Sequence, residues 1–181
     1  MIFQNLSYSP MVSNYTIEQI PVELQMMSDS ARVWVFQSEQ EFSEKDVFVA
    51  TEQIRGFLEQ WTAHNRQLDA HGAVFYNRFI VIVLDQEQSN NASGCSIDSL
   101  TRYIQNVGDQ LDANVMDRQH FYFLINGQVE GVNMNELPEH YKAGKVSEDS
   151  LVFNNLIKTK AELFSKWLVP IKSSWQWRFV G

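Results

Sequence analysis

The segment Ser93-Gly-Cys-Ser-Ile-Asp98 gathers a thiol, two hydroxyls, a carboxylate and a glycine within six residues. It follows a polar run and leads into Ile97, Leu100, Ile104, Val107 and Leu111, an apolar repeat with helical spacing. A loop entering a helix presents backbone amides with no partner, and the helix dipole adds positive potential, so this end attracts phosphate or carboxylate. Ser93, Gly94, Ser96 and Asp98 are therefore the first candidate ligand-binding residues. The same potential would stabilise a thiolate at Cys95, and His64 in Trp61-Thr-Ala-His64 is the candidate base for it. That pair would support a cysteine-dependent transfer or hydrolysis. Each residue also has a plainer purpose. Ser96 suits an N-cap, Asp98 a first helical turn and Gly94 a turn, a free cysteine is often a small core residue, and His64 suits a helix C-terminus.

Further polar groups at expected turns are Arg78 in Tyr76-Asn-Arg78 and the pair Asn154-Asn155. They could hold a polar ligand or simply satisfy backbone groups. His71, His120 and His140 share no metal-ligand spacing, and no serine sits in a G-x-S-x-G elbow. The sequence therefore calls for no metal and no cofactor.

The single Cys95 excludes an intrachain disulfide and cysteine-rich zinc modules, and it fits a reducing, cytoplasmic setting. With 181 residues, 44% hydrophobic and 20% charged, the chain fits one soluble domain. A chain this long buries roughly 70% of its unfolded surface. Its longest apolar run, Phe79 to Leu84, is far short of the ~20 residues of a membrane-spanning helix. The first thirty residues carry no Lys or Arg, so no secretory signal is expected there.

The elements that must position these groups follow from periodicity. Arg32–Gln37 reads as a strand, and a capping-box-like Ser43 with Asp46 opens a helix expected over 44–63. Ala73–Tyr76 and Phe79–Asp85 read as two antiparallel strands joined by a turn at Asn77-Arg78. The second helix follows, then strand His120–Ile125, with Asn126-Gly127 signalling a hairpin and a short edge strand beyond it. Strand, helix, strand, strand, helix, strand is the split βαβ order of a ferredoxin-like α+β domain, with both helices on one face of an antiparallel sheet. A C-terminal extension over 135–181 should cover the other face: a turn near Pro138, a helix over 150–167 and an edge strand over 171–180. The single α+β domain is expected over 31–181, preceded by a loosely structured extension over 1–30.

The net charge of −8 is uneven, since Lys158, Lys160, Lys166, Lys172 and Arg178 face only Glu162 in the last stretch. Basic residues among Trp167, Trp175 and Trp177 could meet nucleic acid, yet an acidic body repels polyanions. Docking of this tail on its own domain or on a second subunit is the stronger expectation, and neither nucleic acid nor membrane is an expected partner.

Trp34-Val-Phe-Gln-Ser38, Trp61-Thr-Ala-His64, Tyr76-Asn-Arg-Phe79, Ser93-Gly-Cys-Ser-Ile-Asp98, Val152-Phe-Asn-Asn-Leu156 and Val169-Pro-Ile-Lys172 with Trp175 form a distinctive set. Over roughly residues 31 to 181 the chain resembles a family of small Bacteroidetes proteins often named ABC transporter ATPases. The residues do not support that name. A phosphate loop needs G-x-x-x-x-G-K-[ST], whereas the only Gly-Lys here, Gly144-Lys145, is followed by Val146 and has Glu139 in place of the first glycine. The expectation is a non-enzymatic binder of a small anionic or polar ligand, or of a protein partner, through Ser93–Asp98. The alternatives are a cysteine-dependent enzyme built on Cys95 and His64, and a homodimeric interaction protein using the Trp-rich tail.

Overall fold

The computed structural model describes residues 14–87 and 91–180. In chain order its elements are β1 (Asn14–Tyr15), α1 (Val22–Met26), β2 (Arg32–Gln37), α2 (Glu44–Leu58), β3 (Thr62–Ala63), β4 (Arg66–Gln67), β5 (Ala70–Phe75) and β6 (Phe79–Leu84). There follow α3 (Gly94–Gln110), β7 (His120–Ile125), β8 (Gln128–Asn133), α4 (Leu137–Lys142), β9 (Leu151–Phe153), α5 (Lys160–Lys166) and β10 (Leu168–Pro170). Two 3-10 helices, Ile171–Ser173 and Trp175–Phe179, close the chain. The class is mixed α+β.

Helix α2 starts on a full capping box between Ser43 and Asp46 and buries Val47, Ala50, Ile54 and Leu58, three or four residues apart. It stops at Leu58 and does not run on to Ala63. Trp61 turns into the core, and His64 and Asn65 both adopt left-handed backbone (φ 51° and 62°) as the two-residue turn of the β3–β4 hairpin. Turn chemistry thus overrides the helical repeat. Tyr76-Asn77 and Asn126-Gly127 adopt the same left-handed pairs in the turns of the β5–β6 and β7–β8 hairpins; the second is the turn its Asn-Gly sequence predicts, and the first falls one residue before the expected Asn77-Arg78.

One sheet has the order β1-β5-β6-β2 and a second the order β10-β9-β7-β8, both antiparallel apart from the parallel β1–β5 pair. Every residue of β6 is buried. Its Ile80, Ile82 and Leu84 pack with the buried faces of α2 and α3, while Phe79, Val81 and Val83 pack with Tyr122, Phe153 and Trp167 of the second layer. Alternation along β7 continues the stacking, because Phe121 and Phe123 face away toward Ile171 and Val180. Helices, first sheet, second sheet and C-terminal helices therefore lie in succession.

Strands β2, β6 and β5 with both helices on one face follow the expected order, but the fourth strand corrects the ferredoxin-like expectation. In that arrangement β7 would hydrogen-bond to the open edge of β2; it opens the second sheet instead. Both ends of that edge are already taken. The Val33 amide donates to the Lys158 carbonyl (2.9 Å), the Lys160 amide to Ala31 (2.9 Å) and the Glu39 amide to Asn114 (2.9 Å).

The C-terminal extension also departs from its periodicity. The expected helix over 150–167 is strand β9 followed by the shorter α5, and the expected edge strand over 171–180 is a pair of 3-10 helices. Trp175 and Phe179, four apart, both set their rings edge-on against Phe121 at 5.4 and 5.2 Å, which a helical turn permits, whereas an extended strand would hold them about 13 Å apart. The basic tail lies on its own body, with Lys172 paired to Asp149 at 2.6 Å.

Residues 14–30 of the expected extension are packed, not loose. Leu24 and Met27 join the second core, and the buried Lys160 ammonium donates to the Gln25 carbonyl at 3.0 Å and to the Met27 carbonyl. The rest of that expectation, residues 1–13, lies outside the described residues. No described helix is long and apolar enough to cross a membrane.

Candidate functional site

The Ser93–Asp98 segment is the start of α3, one turn earlier than expected. Ser93, not Ser96, is the N-cap, its hydroxyl accepting from the Ser96 amide at 3.2 Å. The Ser96 side chain is buried and its hydroxyl donates to the Ser93 carbonyl (2.8 Å). Gly94 and Cys95 occupy the first two helical positions and Asp98 falls in the second turn; all three are exposed. Trp61 ties this end to the β3–β4 hairpin by donating its indole N–H to the Ser96 carbonyl at 2.9 Å. His64 is exposed at the tip of that hairpin, and among the described residues no hydrogen bond joins it to Cys95. The two lie on neighbouring elements without forming a pair.

Arg78 and Asn155 fall elsewhere, at the seam where the sheets meet. Arg78 is buried, donates from Nη1 to the carbonyls of Ser38 (3.0 Å) and Glu39 (2.7 Å), and lies 4.8 Å over the Tyr122 ring. Asn155 accepts from the Trp167 indole (2.8 Å) and donates to Gln37 Oε1 (2.6 Å). Gln37 Nε2 donates in turn to the carbonyls of Asp117 (2.8 Å) and His120 (3.1 Å). Asn154 donates to the Lys166 carbonyl at 3.3 Å.

The centre of this seam is Asp117, which sequence reasoning passed over. Its carboxylate is buried and accepts from the Tyr122 hydroxyl (2.8 Å), the Gln119 amide (2.9 Å) and His120 Nδ1 (3.1 Å). Burial, reinforced by the accepting carboxylate and its charge, pushes the Tyr122 phenol well above its ordinary range, against a weaker pull from Arg78. With Nδ1 facing a carboxylate, His120 carries its hydrogen there, which leaves Nε2 to hydrogen-bond a ligand. The available signal was Asp117-x-x-His120 at the mouth of a strand. It carries little alone, since the partners Gln37 and Asn155 are about eighty and forty residues away in the chain.

Gln37, Asp117, His120 and Asn155 line a cleft of about 490 Å³ between the β2 edge, the approach to β7, the end of β9 and the C-terminal helices. Trp34, Phe121, Leu156 and Trp175 give it an apolar wall, and Asp117, Arg118, His120, Asn155 and Gln176 give it polar groups. Gln176 is buried and its Nε2 donates to the Phe153 carbonyl (2.9 Å), yet its Oε1 has no partner among the described residues. The Trp175 indole N–H is likewise buried without a partner there. The Arg118 side chain is exposed and forms no ion pair among the described residues. Among the described residues no serine or cysteine lines the cleft, and the Thr101 hydroxyl is given to the Ile97 carbonyl at 3.0 Å. No family model, curated protein or solved structure matches the chain.

Proposed function

We propose that this protein is a non-enzymatic binding module whose site is the cleft between the two sheets, and that its ligand is a small molecule bearing a carboxylate. The observation that carries the reading is one aromatic-walled cleft lined by the exposed Arg118 and by Trp175 and Gln176, whose buried indole N–H and Oε1 have no partner among the described residues. A buried donor or acceptor without a partner costs about 1–3 kcal/mol, so a ligand that supplies both kinds of group gains that much on entering. The guanidinium selects a planar anion over a neutral ligand. Ligand pockets commonly combine an apolar wall with a few convergent polar groups. We place the protein in the cytoplasm, which agrees with an exposed free Cys95. We further propose kinship with the Bacteroidetes family that the chain resembles, a kinship that brings no activity with it.

The test is thermal unfolding with millimolar acetate, succinate, phosphate and adenine nucleotide. A carboxylate should raise the midpoint, and Arg118→Ala should remove the rise without changing the midpoint of the free protein. A rise with phosphate or nucleotide that survives Arg118→Ala would return the site to the Ser93–Asp98 helix start. No rise with any probe would overturn the small-ligand reading.

A further inference from the structure

We propose that the carboxylate ligand is a short free peptide of three or four residues, which enters the cleft as an added strand on the open stretch of the β2 edge. The inference rests on the carboxylate-binding reading above and names its ligand class. In an antiparallel pair, backbone groups point alternately toward the partner strand and away from it. Val33 is aligned with Val83 of β6 but gives its amide to Lys158 on the opposite side, so Val33 points outward, and Val35 and Gln37 do so with it. The outward groups of this edge are filled at one end by Lys158 and Lys160 and at the other by Asn114. Between those ends the Val33 carbonyl, both backbone groups of Val35 and the Gln37 amide have no backbone partner among the described residues. This open stretch is where the cleft lies, with Trp34 to Gln37 all on its wall.

An unpaired strand edge is a template for another extended chain, and main-chain bonds of this kind recognise peptides without regard to most of their side chains. Residues 158–160 already use the same edge in this way, so an added strand would continue an arrangement that the fold has begun. Because the open stretch is closed at both ends by the protein's own bonds, it has room for only about four residues, roughly 13 Å at about 3.3 Å each. Charge decides the orientation of the ligand's end. Arg118 at the cleft supplies an unpaired cation for a terminal carboxylate, while the Asp117 carboxylate is already satisfied by Tyr122, His120 and Gln119.

The probe is a pool of tetrapeptides with free termini, β-branched or aromatic at every position, added to the full chain at millimolar total concentration. The expected result is that amide hydrogen exchange at Val35 slows about tenfold, the factor that the net worth of one hydrogen bond gives. The same pool methylated on every backbone nitrogen should leave Val35 exchange unchanged, and the C-terminally amidated pool should bind more weakly to the native chain but equally to Arg118→Ala. If succinate binds and the peptide pool does not, or if the methylated pool binds as well as the parent, the strand-addition inference is overturned while the carboxylate reading stands. If neither succinate nor peptide binds, both are overturned. Val35 protected in a dimer before any peptide is added would show that a second copy occupies the edge, and would overturn the inference also.

Discussion

Tyr122 donates its hydroxyl to the buried carboxylate of Asp117 across 2.8 Å, five residues back along the chain, and the same oxygen faces His120 Nδ1 at 3.1 Å. This contact joins the start of the second sheet to the seam, and its removal should be felt in stability at neutral pH. Tyr122→Phe leaves Asp117 short of a donor and should cost about 1–3 kcal/mol in denaturant unfolding at neutral pH. An unchanged midpoint would mean that the hydroxyl is replaced by water at no cost.

The same residue sets an alkaline limit. Its phenol is held above the ordinary value of 10.0 in the folded protein, so the folded state keeps the proton longer than the unfolded chain does. The stability from this group is intact below that ordinary value and is lost as pH rises above it toward the folded one. Urea midpoints measured upward from pH 9 should fall, and Tyr122→Phe should flatten the fall. Some slope should persist from Tyr76, whose phenol burial also raises.

Asn155 bridges the sheets by bonding both Trp167 and Gln37. Asn155→Ala strands a buried indole N–H and an amide oxygen and should cost about 1–3 kcal/mol. In a double-mutant cycle with Gln37→Ala, a coupling above about 0.5 kcal/mol is expected from residues sharing one network. Additive effects would mean that the seam is held by packing alone.

Gly72 allows α2 to lie directly on β5. A Cβ there would come within 2.5 Å of Ile54 Cγ2 and 2.7 Å of Ile82 Cδ1. Gly72→Ala should destabilise by about 1–3 kcal/mol through overpacking, and Ile82→Val in the same chain, which removes the Cδ1 methyl, should recover part of that loss. Stabilisation by the single change would refute the close approach.

Cys95 should react freely with a thiol alkylating agent, because it is exposed at the second position of α3. Neither that modification nor Cys95→Ser should shift carboxylate binding, and stability should stay within about 0.5 kcal/mol. Loss of binding in either case would bring the Ser93–Asp98 loop back as the site.

The sequence by itself determined the local pieces: the alternating strands, the amphipathic helices, the capping box at Ser43 and the hairpins at Asn77 and Asn126. Each depends on residues within a few positions of one another, where periodicity and turn chemistry act directly. The same locality explains the errors at His64 and in 171–180. There a left-handed turn and ring packing against Phe121, neither visible as a repeat, overrode the pattern. Tertiary structure alone decided that β7 would leave the first sheet, because residues 158–160 and Asn114 had taken the ends of the β2 edge. It also decided the site. Gln37, Asp117, Asn155 and Gln176 meet only because two sheets face each other, and hydrogen bonds between residues so far apart in the chain leave no spacing to read.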